Sequence, residues 1–243
     1  MSTRKGMQRI TSYFVIFALL VCIEPSSAQN SILIANYSKN EYQGGNQNWD
    51  LSLDNKGNVF VANNSGFLTF NGANWHINQL PGKTIIRSVA YDNGRVYTGS
   101  FEEFGYWHIN SSGEWNYQSL IPLLKDYALH NDEIWKIVKH NNSIYFQSFG
   151  AIFRYDNNTI MPLKVPGLVL FLLEADGHLY VQQINGGLFE IIDTEIVPIP
   201  GSGIFKNTEI KAIIPLNEKE FLIGTSSEGI FKYDGQSFTE WKN

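Results

Sequence analysis

Cysteine is almost missing from this 243-residue chain: its single copy, Cys22, lies in the first 28 residues. The rest of the chain can form no internal disulfide, so its stability must come from packing and strand pairing. Charge is scarce too, at 17% of residues against roughly 25% in an average soluble protein. The first 28 residues hold three basic groups and one acid, so the net −5 of the whole chain becomes −7 over the remainder. That balance leaves no basic face for nucleic acid. Helical periodicity is also rare, and no phosphate-cradling glycine loop or nucleophile elbow occurs.

Aromatic residues are abundant, at 14%. They supply apolar area to bury and argue against disorder. Arg4, Lys5 and Arg9 precede an apolar stretch at 10–23, and Ser26-Ser27-Ala28 offers small residues for cleavage before Gln29. Residues 1–28 therefore read as an export signal peptide, too short in its apolar part to span a bilayer comfortably. The alternatives are an uncleaved anchor, or lipidation at Cys22, against which bulky Val21 argues.

The remaining chain repeats itself. Trp49-Asp50-Leu51-Ser52-Leu53-Asp54 alternates as a strand and Asn55-Lys56-Gly57-Asn58 turns it. Val59-Phe60-Val61-Ala62 is a second strand, Phe67-Leu68-Thr69-Phe70 a third after Gly66, and Trp75-His76-Ile77 a fourth after an Asn71-Gly72 hairpin signal. Four short antiparallel strands in about forty residues make one propeller blade. Glycines at 66, 105, 150, 187 and 229 mark five copies, at intervals of 39, 45, 37 and 42, and are read as sites of positive φ in tight turns. Second-strand aromatics recur at Phe60, Tyr97, Tyr145, Tyr180 and Phe221.

The expected fold is thus an all-β propeller with blades near 46–80, 85–120, 133–165, 168–200 and 209–241. Each blade owns four strands, and one apolar strand, Ile32 to Tyr37, is left over. We expect it to complete a blade beyond residue 243, which makes the chain the front of a larger ring of about seven blades. A closed five-bladed ring is the rival arrangement.

The repeat text resembles the two-component regulator propeller family of bacterial sensors. The resemblance rests on Asn48-Trp49-Asp50-Leu51, Asp54, Gly57, Val59-Phe60-Val61-Ala62, Gly66, Phe70-Asn71-Gly72 and Trp75, and on Phe101-Glu102-Glu103-Phe104-Gly105-Tyr106-Trp107, which is similar to a signature of propellers preceding a triple-tyrosine sandwich. It implies a non-catalytic periplasmic input module, many relatives of which respond to polysaccharide fragments, in a protein anchored in the inner membrane. Sandwich, kinase and helix-turn-helix segments do not appear within these residues, so output would lie elsewhere.

No chemistry-bearing pattern competes with that expectation. His76, His108, His130, His140 and His178 lack metal-ligand spacing. Glu102 and Glu103 are adjacent carboxylates that a strand would point to opposite faces, which suits a polar turn better than a glycosidase pair. No cofactor or metal is expected. The loops opening on one propeller face would present Gln47, Asn48, Asn63, Asn64, Arg87, Phe101, Glu102, Glu103, Trp135 and Phe149. Amides beside aromatic rings suit an oligosaccharide, whose hydroxyls need donors and acceptors while its C–H faces stack. Trp49 and Trp135 read more readily as core wedges between blades, because large aromatics dominate core packing where they can be buried. Two other functions stay open: a secreted propeller that binds or cleaves polysaccharide alone, and a protein-interaction scaffold.

Overall fold

In this computed structural model the described residues are 34–125, 127–217 and 219–242. The expected signal peptide at 1–28 lies outside them, as do Ile32 and Leu33 of the expected leading strand. Residues 34–37, its described part, form no strand. The chain divides into two units, Met1–Asn36 and Tyr37–Asn243; the blades belong to the second.

Turn residues cut the chain into short strands, and each set of four pairs as a nearest-neighbour antiparallel meander. Blade 1 contains β1 (Asn48–Leu53), β2 (Val59–Asn63), β3 (Gly66–Phe70) and β4 (Trp75–Asn78). Blade 2 contains β5 (Ile86–Asp92), β6 (Arg95–Ser100), β7 (Glu103–Ile109) and β8 (Trp115–Ser119). Blade 3 contains β9 (Lys136–His140), β10 (Ser143–Gln147), β11 (Ile152–Asp156) and β12 (Thr159–Leu163). Blade 4 contains β13 (Val169–Ala175), β14 (His178–Gln183), β15 (Leu188–Ile192) and β16 (Glu195–Pro198). Blade 5 contains β17 (Ile210–Asn217), β18 (Glu220–Thr225), β19 (Ile230–Tyr233) and β20 (Phe238–Glu240).

The first strands lie side by side in chain order, β1, β5, β9, β13, β17, and so line the inside of the blade series. Middle strands are apolar on both faces because blades 2, 3 and 4 each have a neighbour on both sides. Four cores result, one per blade junction. Phe60, Phe67, Val89 and Trp107 fill the first; Phe104, Phe146 and Phe153 the second; Tyr145, Leu172 and Leu179 the third; Tyr180, Phe205 and Ile223 the fourth.

Two repeated features differ in detail from the sequence expectation. Among the five marker glycines only Gly66 and Gly229 adopt positive φ. Close approach explains others: a Cβ on Gly105 would sit 2.2 Å from the Gln118 carbonyl oxygen, and one on Gly187 2.5 Å from Ser202 Oγ. Phe221 is also out of phase with its proposed counterparts. Phe60 stacks forward on Tyr91 of blade 2, whereas Phe221 packs backward on Tyr180 of blade 4.

The residues before blade 1 act as a cover rather than a strand. A capping box between Ser38 and Glu41 starts a one-turn helix, α1 (Lys39–Tyr42). Tyr37 packs on Phe70 and Trp75, with Tyr42 also on Trp75, over the outer strands of the blade 1 face turned away from blade 2.

The segments that lead into blades are tied by buried polar side chains near the ends of second strands. Asn63, fully buried, accepts from Gly45 N at 2.6 Å and donates to Gln47 O at 2.9 Å and Asn48 Oδ1 at 2.7 Å. Ser100 donates to Ile85 O at 2.6 Å, and Gln182 donates to Thr208 O while accepting from Ile210 N. An Asn63→Ala variant strands several of these groups without water and should lose about 2–3 kcal/mol. Thermal melting should show the midpoint lower by about 5–10 °C, whereas the half-buried Asn64→Ala should cost less, because its partners Trp49 and Gln47 can turn to solvent.

Candidate functional site

A β-bulge recurs where the first strand of a blade begins. Register shifts between Asn48 and Asp50, Ile86 and Ser88, Val169 and Phe171, and Ile210 and Ala212 leave Trp49, Arg87, Leu170 and Lys211 outside the pairing. An unpaired bulge residue is released from strict up-down alternation, so its side chain can be aimed elsewhere. Trp49 and Arg87 are thereby brought together.

The Arg87 guanidinium carbon lies 4.1 Å from the Trp49 ring centroid and 5.0 Å from that of Trp135. The indoles meet edge to face at 6.0 Å, and Phe149 extends the row 5.6 Å beyond Trp135. Arg87 Nε donates to Glu133 Oε1 at 2.5 Å, with side-chain exposures of 15% and 22%. The carboxylate offsets the charge and fixes the plane of the guanidinium against the rings. Trp49 Nε1 donates to Asn64 Oδ1 at 2.6 Å, and Asn64 Nδ2 donates to Gln47 Oε1. Nearby, Lys136 Nζ stands 3.7 Å from Asp50 Oδ1. The product is a part-exposed aromatic row with an oriented guanidinium and an amide rim.

Of the residues expected from sequence, Arg87, Trp135 and Phe149 join directly, and Gln47 and Asn64 support Trp49. Phe101 is exposed and bridges to Glu133 through its backbone; Glu102, at φ 51°, accepts from Asn131 N at 2.8 Å. The structure keeps three candidates out. Asn63 is the buried linker clamp described above, and Asn48 gives its side-chain oxygen to that clamp. Glu103 instead accepts from Tyr117 Oη at 2.9 Å and Ser119 Oγ at 2.7 Å, in a separate cleft of about 280 Å³ lined also by Leu80, Pro81 and Thr84. Trp49 and Trp135 are only partly covered, so neither is a buried wedge. Sequence reasoning missed Glu133; its spacing from Arg87 carries no local pattern, because the pair joins two blades.

Among the described residues, no group of three or more His, Cys, Asp or Glu side chains could hold a metal ion, and no helix is long and apolar enough to cross a membrane. None of the histidines enters the Trp49 cluster.

No family model and no curated protein matches the chain. Solved structures do resemble it. Virginiamycin B lyase from Staphylococcus aureus is 16% identical with a TM-score of 0.58, over 81% of this chain and 71% of the lyase. The extracellular domains of the putative hybrid two-component systems BT4673 and BT3049 from B. thetaiotaomicron are 15% and 14% identical, with TM-scores of 0.59 and 0.60. They cover 83% and 90% of this chain, which spans only 28% and 30% of theirs. At these identities the likeness establishes the fold, an all-β propeller built of four-stranded blades.

Burial, and then the charge of Glu103, push the Tyr117 hydroxyl far above its ordinary value. A tyrosine that stays protonated when folded but ionises when unfolded stabilises fully below about pH 10, and that contribution is lost as pH rises further. Denaturant titrations between about pH 9 and 11 should therefore show falling stability. Tyr117→Phe should fall less steeply, though not flatly, because burial also raises Tyr97, Tyr145 and Tyr180.

Proposed function

We propose that this chain is a non-catalytic, ligand-binding propeller on the periplasmic or extracellular side of a bacterial two-component-type regulator, and that its ligand is an oligosaccharide. The observation that carries the reading is the part-exposed row Trp49, Trp135 and Phe149 with Arg87 held between the indoles. Sugar rings present C–H faces to aromatic planes and hydroxyls to amides and guanidinium groups. Gln47, Asn64, Phe101 and Glu102 would border such a ligand.

Three considerations support this choice. Two structural neighbours are extracellular domains of two-component systems. The blade text resembles the sensor propellers of that class. The cluster itself is built for contact: Arg87 is already paired with Glu133, and no histidine stands by to move a proton. In a regulator of this class, membrane anchoring and output belong to other domains.

Calorimetric titration against a panel of oligosaccharides tests the reading. Trp135→Ala and Trp49→Ala should each weaken binding by about tenfold, and Arg87→Ala by a similar factor, without a change in far-ultraviolet circular dichroism. Affinity unchanged in all three variants would remove the ligand from this face. Turnover of any polysaccharide in the panel by the purified chain would overturn the non-catalytic assignment.

A further inference from the structure

Glu103 lies outside the aromatic row, in the cleft of about 280 Å³ between the segment leading into blade 2 and the outer strands of that blade. Gly105 makes its surroundings possible: a Cβ there would sit 2.6 Å from Tyr117 Oη, so glycine lets the tyrosine lie across β7 and reach Glu103. Tyr117 and Ser119, two residues apart on β8 and so on one face, both donate to the same carboxylate oxygen. Oε1 accepts from Tyr117 Oη at 2.9 Å and from Ser119 Oγ at 2.7 Å. Oε2 takes no donor from the described residues, yet it is not shut away from solvent.

That free oxygen is an exception in this molecule. Every other buried or half-buried carboxylate among the described residues either pairs with a Lys, Arg or His side chain or, like Asp54 and Asp132, engages both oxygens with nearby donors. Glu103 has neither. A half-buried carboxylate loses hydration that one occupied oxygen restores only in part, so a cation at the other oxygen is held more strongly than at the open surface.

We propose that this cleft binds a primary alkylammonium ion, either a free amine or a lysine side chain. With Oε1 filled by two hydroxyl donors, the carboxylate lacks the pair of open oxygens that a guanidinium fork grips, whereas a compact ammonium needs only one. Leu80, Pro81 and Tyr117 line the cleft and suit a methylene stem. No lysine or arginine among the described residues lines it; Lys83, in the same segment, is exposed and forms no ion pair with Glu103. Burial, and then the charge of Glu103, keep Tyr117 protonated, so the donor that fixes the carboxylate persists at neutral pH.

Titration of the purified chain with n-butylammonium chloride, at neutral pH and fixed ionic strength, tests the site through the ring resonances of isotope-labelled tyrosine. Wild type should bind saturably with a dissociation constant of about 1–10 mM, and the resonance that shifts should be the one missing from Tyr117→Phe. Glu103→Gln is nearly isosteric and still accepts from Tyr117 and Ser119, so it should fold normally yet bind about tenfold more weakly. The exposed Glu114→Gln should bind like wild type, and Lys83→Ala at least as well. Nα-acetyl-lysine methylamide separates the two sources: affinity equal to that of butylammonium assigns the cleft to a lysine side chain, and weaker affinity assigns it to free amines. Absence of saturable butylammonium binding overturns the proposal. So does affinity unchanged in Glu103→Gln, or n-propylguanidinium binding as tightly as butylammonium.

Discussion

A four-stranded sheet that is apolar on both faces has no stable existence alone; every blade here depends on the one beside it. Phe60 is buried because Tyr91 and Trp115 of the next blade lie on it, and Phe104 because Phe146 and Phe153 do. Burying a large aromatic side chain contributes roughly 1.5–3 kcal/mol, so the junctions, not the strand pairings within a blade, hold most of the apolar stabilisation. Among the described residues, Tyr37 and Tyr42 shield the outer part of the blade 1 face turned away from blade 2.

Packing blades around an inner row of strands also sets where a ligand could be held. First strands must turn in from their linkers, and in blades 1, 2, 4 and 5 the bulge at their second residue takes up that bend. It frees Trp49 and Arg87 from pairing while the buried clamps at Asn63, Ser100 and Gln182 hold the linkers still. Glu133, on the linker into blade 3, then locks Arg87 of blade 2 between indoles from blade 1 and the start of blade 3. The candidate site is therefore a product of three successive repeats, and none of them contains it alone.

Strand positions were readable because they depend on neighbours two residues apart and on turn formers such as Asn71-Gly72. Five four-stranded meanders are present. Phase errors came from features whose meaning depends on another strand. The Gly105 requirement arises from the Gln118 carbonyl, not from its own turn, and Phe221 lies one residue out of step with Phe60. Asn63 reads as a loop amide open to solvent, yet the residues that bury it, Gly45 and Gln47, belong to the preceding linker.

Local sequence thus determined the elements: short β-rich runs, their hairpins, their number and the absence of disulfide support, all governed by side-chain alternation and backbone preference over a few residues. Only the tertiary structure decided which faces meet. Burial of Asn63, the diversion of Glu103 to Tyr117, and the meeting of Trp49, Arg87, Glu133 and Trp135 each need side chains from distant segments to arrive at one place, and no short-range pattern encodes that distance.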